Sequence, residues 1–169
     1  MVTYSNLFGD NLDFNNLFEY NDGELYWLKS PNSNVPAGSL AGSLRADGYI
    51  GIIVDYTYYF AHRIIWQMLK GEIPSGLVID HIDSNRSNNR IENLRVCTFQ
   101  QNHFNRGKQS NNKSGFKGVS WHKQKRKWVA QIKIEGKNKF LGFFEDPEKA
   151  YSTYCEMALK HYGVFAKLD

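Results

Sequence analysis

The chain has 169 residues, 41% of them hydrophobic and 15% aromatic, and a net charge of +4. That is enough apolar side chain for one packed domain or two small ones, which excludes global disorder. No apolar run approaches the roughly 18 residues of a membrane span. The start, MVTYSNLFGDNLDF, lacks a basic region followed by an apolar stretch, so no secretory signal is expected. Cys97 and Cys155 stand outside any CxxC pattern. A zinc ribbon or disulfide framework is therefore not expected, and a reducing cytoplasm is the natural setting.

Taken in chain order, residues 1–22 are rich in Asn, Asp and Phe without a clean period and read as an N-terminal arm, either a short helix or a loosely docked segment. From Gly23 the pattern changes. GELYWL, SLRADGYIGIIV and YTYYF are β-branched and aromatic runs separated by turn residues, which predicts a small antiparallel sheet. HRIIWQMLK (62–70) has apolar residues at helical spacing and stops at Gly71. Trp66 and Met68 on it read as plain core. LVIDHID then predicts a short strand, a polar loop follows, and LRVCT predicts a second strand. FQQNHFN is a short helix with Thr98 placed to cap it.

Residues 107–114 are polar and rich in Gly, Ser and Asn, a linker by composition. FKGVSWH, KWVAQIKI and KFLGFF predict three strands. PEKAYSTYCEMALKHYG predicts an amphipathic helix with Asp146 as N-cap, Pro147 at the first position and Gly163 after its end. By parity, KWVAQIKI turns Trp128, Ala130, Ile132 and Ile134 to one face and Lys127, Val129, Gln131 and Lys133 to the other.

Charge is unevenly spread. Arg106–Lys139 holds 11 Lys/Arg and the single acid Glu135, so the rest of the chain is acidic overall. A basic block inside an acidic chain points to a polyanion partner for that block.

The stretch VIDHIDSNRSNNRIENLRVC (78–97) places a histidine between two aspartates and follows it with asparagines and arginines. A plain strand has no use for that chemistry. Histidine suits proton abstraction near neutral pH, and hard oxygen donors suit Mg²⁺ or Mn²⁺ better than zinc. Alternation along a strand sends Asp80 and His81 to opposite sides, so a twist or bulge would be needed for both to reach one point.

The pattern DHID…NNRIENLR…QQN resembles the HNH family of ββα-metal nucleases, especially the homing endonucleases of phages and group I introns. The resemblance implies His81 as general base and Asp80 as a metal ligand. It implies Asn93 as the middle member, holding the loop and orienting the histidine. Asn102 matches the second ligand of one divalent cation, Mg²⁺ or Mn²⁺, with the adjacent His103 as the alternative. Asn85, Asn88 and Asn89 read as turn formers. His62 and Arg63 match a supporting HR pair upstream of the core. The implied products carry 5′-phosphate and 3′-hydroxyl ends.

The block GFKGVSWHKQKRKWVAQIKIEGKNKFLGFFEDPEKAYSTYCEMALKHYG resembles the AP2 DNA-binding domain, in which a three-stranded sheet enters the major groove and a helix backs it. Carried over by position, the DNA-binding candidates are Lys117, Ser120, His122, Lys125, Arg126, Lys127, Gln131, Lys133, Asn138 and Lys139, with Phe140 beside them. Lys, Ser and His stand where that family has groove arginines, which reduces bidentate guanine reading and favours phosphate contact.

The expected architecture is thus α+β. A small N-terminal antiparallel sheet leads into a ββα-metal nuclease core (23–106), then a linker (107–114), then a sheet-and-helix AP2-like module (115–169). The expected function is a site-directed, homing-type DNA endonuclease with one cation per active site. It would act on double-stranded DNA in the cytoplasm of a bacterial or phage-infected cell, with no membrane association and no obligate protein partner. The competing readings are a non-catalytic DNA-binding protein on an inactive HNH scaffold and a nuclease directed at RNA.

Overall fold

The computed structural model describes residues 12–108 and 111–168. The chain divides into two compact units, with the boundary between Val96 and Cys97. The sequence places that boundary near residue 106, so the short helix carrying Asn102 and His103 joins the second unit rather than the first.

In the first unit the expected arm is already structured where it is described. A 3-10 turn, Phe14–Asn16, is capped by the Asp13 carboxylate, and β1 (Phe18–Asn21) pairs antiparallel with β2 (Glu24–Trp27). Phe14 and Phe18 are buried, and their rings pack against Tyr59 and Trp27 respectively. The aromatic residues of this segment therefore belong to the core, which corrects the reading of 12–22 as an arm; residues 1–11 lie outside the described residues.

The predicted sheet forms as β3 (Ser43–Leu44), β4 (Ile50–Val54) and β5 (Thr57–Phe60), antiparallel in that order. The β4–β5 turn holds Asp55 and Tyr56 at φ 45° and 62°, the left-handed pair that matches the twist of a two-residue hairpin. Helix α1 (Ala61–Lys70) starts directly from β5 and ends at Gly71, φ 87°. Its buried residues Ala61, Ile64 and Ile65 join Leu25, Ile52, Ile79 and Leu94 in one core, with Trp66 and Met68 packed on its margin. Strand β6 (Val78–His81) then pairs with β7 (Leu94–Cys97), and the polar loop runs between them.

In the second unit, α2 (Phe99–Phe104) opens on a reciprocal capping box. Thr98 Oγ1 accepts from Gln101 N, and Gln101 Oε1 accepts from Thr98 N. Strands β8 (Val119–His122), β9 (Lys127–Ile134) and β10 (Lys137–Phe144) form an antiparallel sheet with β9 central. Helix α3 (Pro147–Tyr162) begins as predicted, with Asp146 accepting from Glu148 N and Pro147 in the first turn. Ala150, Tyr154 and Ala158 of α3 are buried with Val119, Ala130 and Ile132 of the sheet. Strand β8 starts three residues later than FKGVSWH suggests, because Gly118 turns the chain at φ 73°. A Cβ there would overlap the Tyr154 ring.

Candidate active site and nucleic-acid interface

Strand β6 carries two ionisable side chains into the interior of the first unit. Asp80 is 5% exposed and His81 4%. A carboxylate buried to that extent needs a partner, and Arg95 on β7 supplies it, with Nη2 at 2.8 Å and Nε at 2.9 Å from Oδ2. His81 has different neighbours. Its Nε2 lies 2.9 Å from Oδ1 of Asn89, itself 2% exposed. An amide oxygen only accepts, so Nε2 is the protonated nitrogen in this contact. The His62 ring stands edge-on at 5.0 Å and the Tyr49 ring at 5.9 Å. The Arg86 guanidinium lies over Tyr49 at 4.9 Å and donates to Asp47 O at 2.8 Å.

Burial holds His81 below the ordinary histidine pKa, and the Arg86 charge acts the same way. Asn89, Asp83 and Asp80 oppose the shift without cancelling it. The imidazole is therefore neutral near pH 7, the form that accepts a proton. His62, the second residue of α1, is driven further, to about 3, first by burial and then by the charges of His81 and Arg63. Its Nδ1 is buried with no hydrogen-bond partner among the described residues. Burial also lowers the Arg63 guanidinium.

The loop after His81 is tied to its own far end. Asn93 Oδ1 accepts from Asp83 N at 3.1 Å, and its Nδ2 donates to Asp83 Oδ1 at 2.9 Å and Asn88 O at 2.8 Å. The Asp83 carboxylate also accepts from Asn85 N at 2.8 Å and Asn88 Nδ2 at 2.7 Å. Partial burial pushes the Asp83 carboxyl up, but the Asn88 and Asn93 bonds outweigh it and leave it below the usual carboxylate range.

Asn93 thus fastens the loop, and the amide that meets the histidine is that of Asn89. The sequence reading assigned both tasks to Asn93 and left Asn89 as a turn former. Asn89, Arg95 and Tyr49 were all missed. The signal that could have found Asn89 is its place in an otherwise exposed Asn-rich loop directly before Arg90-Ile91, where the chain returns to the core.

Asn102 and His103 stand on α2, in the other unit. Asn102 is half-buried and His103 exposed. Among the described residues no group of three His, Cys, Asp or Glu side chains is placed to hold a metal. The donor set assigned from the sequence is therefore a lean one, a carboxylate and an amide. Its chemistry fits a hard cation that keeps several positions for water and phosphate oxygens.

In the second unit, register sorts the DNA-binding candidates by face. Ser120 pairs with Val129, His122 with Lys127, Lys133 with Asn138 and Gln131 with Phe140, and these lie on the face away from α3. Three expectations change here. Lys139 pairs with the buried Ile132 and so belongs to the helix side. Lys117 donates its ammonium to Phe104 O at 2.9 Å and Lys167 O at 3.1 Å, a structural tie rather than an outward charge. Val129, which parity puts on the face of Lys127 and Lys133, is only 3% exposed between its register partners Ser120 and Phe143.

A register shift between Phe140 and Gly142 brings Phe143 onto the same face as Phe140, with ring centroids 5.0 Å apart. A parity count along KFLGFF could not anticipate that bulge. Lys127 is paired with Glu145 at 2.8 Å, while Lys125, Arg126, Gln131, Lys133 and Asn138 are exposed. A groove of about 860 Å³ in this unit is lined in part by Arg106, Lys108, Lys113, Lys123 and Lys133.

Residues 59–104 match the HNH_3 family, described as HNH endonuclease. Protein 3.8 of Escherichia phage T7 is 40% identical over 76 residues, 45% of this chain and 63% of that protein. The uncharacterized HNH endonuclease L560 of Acanthamoeba polyphaga mimivirus is 39% identical over 106 residues, 62% of this chain and 54% of that protein. The chain thus spans less than two thirds of the length of these relatives. Among solved structures, one of DNA binding and cleavage by the HNH homing endonuclease I-HmuI aligns at 24% identity and a TM-score of 0.41. That alignment covers 83% of this chain and 76% of the other.

Proposed function

We propose that this chain, which carries an HNH endonuclease domain over residues 59–104, is a divalent-cation-dependent DNA endonuclease of the homing type. The observation that carries the reading is the end of β6. There a buried carboxylate and a buried, neutral imidazole occupy consecutive positions, each with its own fixed partner.

In this reading His81 takes the proton from the attacking water as the water oxygen bonds to phosphorus. The bond from phosphorus to the 3′ oxygen then breaks and the departing oxygen takes a proton from solvent water, leaving 5′-phosphate and 3′-hydroxyl ends. A Mg²⁺ or Mn²⁺ ion, when bound, stabilises the charge that builds on the phosphorane and the leaving oxygen. Asp80 would be one ligand, aimed by its pairing with Arg95. Asn102 would be the other, with His103 as the alternative, an assignment implied by the resemblance to the HNH family. Asn93 keeps the loop between β6 and β7 closed on itself, so His81 does not swing with it.

The exposed face of β8–β10 supplies duplex binding. Ser120, His122, Gln131, Lys133 and Asn138 share that face, with Lys125 and Arg126 on the β8–β9 turn and Lys127 half-screened by Glu145. Phosphate contact dominates there, because lysine is a point charge without a planar fork.

The test uses duplex DNA labelled on each strand in turn, incubated with the full chain in Mg²⁺, Mn²⁺ or EDTA. The reading predicts discrete cuts with either ion, none in EDTA, and 5′-phosphate ends that ligase accepts. Retarded DNA without any cut in either metal would instead establish a binding protein on an inactive nuclease scaffold. Faster cutting of RNA than of DNA would reassign the substrate.

A further inference from the structure

The loop that carries His81's partner is braced by a part of the chain outside the matched nuclease region. Asn89 is almost completely buried, and its Oδ1 is the acceptor for His81 Nε2. The residues that follow it are held by the β1–β2 hairpin. Ile91 N donates to the Tyr20 hydroxyl at 3.1 Å, and Arg90 pairs with Asp22 at the hairpin tip. Gly23, at φ +93°, lets the tip lie against the loop backbone. A Cβ there would stand 2.8 Å from Arg90 N and 3.2 Å from the carbonyl carbon of Asn89.

We propose that Asn89 is the positioning residue for His81: it selects the Nε2–H tautomer and thereby makes Nδ1 the basic nitrogen, and the β1–β2 hairpin keeps it in place. The inference rests on the reading of His81 as the general base. Its physical logic is that of any histidine whose two nitrogens do different work. A fixed acceptor at one nitrogen decides which nitrogen carries the lone pair, and a misplaced tautomer cannot take a proton from the correct direction. The buried amide is suited to the task. It is uncharged, it cannot leave for water, and its acceptor oxygen is already committed to the ring. The asparagine next in line for this role, Asn93, spends its side chain on Asp83 and Asn88.

The experiment has two independent readouts. In the 169-residue chain with ¹⁵N-labelled histidine, long-range ¹H–¹⁵N correlation reports the His81 tautomer without any nuclease activity. The wild type shows Nε2–H, and Asn89→Leu, of the same branched shape though bulkier and without an acceptor, shows a mixture. In parallel, turnover on labelled duplex falls about 100-fold in Asn89→Leu at unchanged duplex affinity. Asn89→Asp, which restores an acceptor oxygen, recovers most of the loss. Gly23→Ala, distant from the ring in sequence, lowers turnover in the same direction.

An Nδ1–H tautomer in the wild type overturns the proposal. So does an Asn89→Leu variant that is folded by its amide spectrum and cuts within about threefold of wild type. Should the wild-type chain show no metal-dependent cutting, the base assignment fails on its own. The tautomer measurement still decides whether Asn89 governs the ring.

Discussion

The two units handle polar side chains in opposite ways. In the first, the groups at and after β6 have fixed partners: buried Asp80 is held by Arg95, buried His81 by Asn89, and exposed Asp83 by Asn88 and Asn93. In the second, Lys125, Arg126, Gln131, Lys133 and Asn138 are exposed around the sheet. Chemistry at one bond needs groups held in place before the substrate arrives, since reorganisation at the moment of reaction adds to the barrier. Binding a polyanion needs only charges near a surface that counterions can leave. Under the proposed function, the held polar groups of the first unit suit cutting and the exposed ones of the second suit gripping a polyanion.

The contrast can be broken most severely at Asp80. Asp80→Ala removes the buried carboxylate with which the partly buried Arg95 guanidinium is paired. Cutting should fall about 1,000-fold or more, and unfolding free energy by about 3 kcal/mol, measured by urea titration. If stability holds while cutting fails, Arg95 has found another partner and the pair is not the anchor claimed here.

Next in size is acid sensitivity. His62 is held at about 3 in the folded protein and titrates near 6.5 when unfolded. Between those values the unfolded chain binds a proton that the folded chain refuses. Stability is therefore complete above pH 6.5 and is lost as pH falls, by about 1.4 kcal/mol per unit from this group. Urea midpoints across pH 7 to 4 should show this decline, and His62→Phe, which also removes the unpartnered Nδ1, should flatten it.

The second unit sharpens the comparison through salt. Lys133→Ala and Lys125→Ala should each reduce the slope of log affinity against log salt by about 1, with little change in folding. Lys117→Met should do the reverse, leaving the slope alone and lowering the thermal midpoint, because its ammonium is tied to two carbonyls. The smallest effect belongs to Asp22→Asn. Both members of the Asp22–Arg90 pair are more than half exposed, so stability should be unchanged within error and turnover only slightly reduced.

Much of this architecture was legible in the sequence because its signals are local. The turn residues at Asp55-Tyr56, the apolar period of α1, the Thr98 cap, and the Asp146-Pro147 start of α3 each follow from side-chain chemistry at one position. The described part of residues 1–22 was misread for a different reason. Phe14 buries against Tyr59, distant in sequence, and nothing local announces that contact, while Phe18 packs on Trp27 across the β1–β2 hairpin.

The site divides along the same line. The candidates Asp80, His81 and Asn93 came from a spaced motif, whereas Asn89 and Arg95 become visible only when the loop closes and β7 lies beside β6. Lys117 and Lys139 looked like their neighbours in a basic run. Only the register of β10 and the carbonyls of Phe104 and Lys167 distinguish them.

The central claim is that the imidazole of His81 removes the proton from the attacking water. Its most direct test is the single-turnover cutting rate of wild type and His81→Ala on the same duplex with Mg²⁺, with affinity measured in parallel by gel retardation in Ca²⁺. The account predicts a rate loss of about 1,000-fold at unchanged affinity. A variant that cuts at the wild-type rate, or that loses cutting only because it no longer binds DNA, would contradict it.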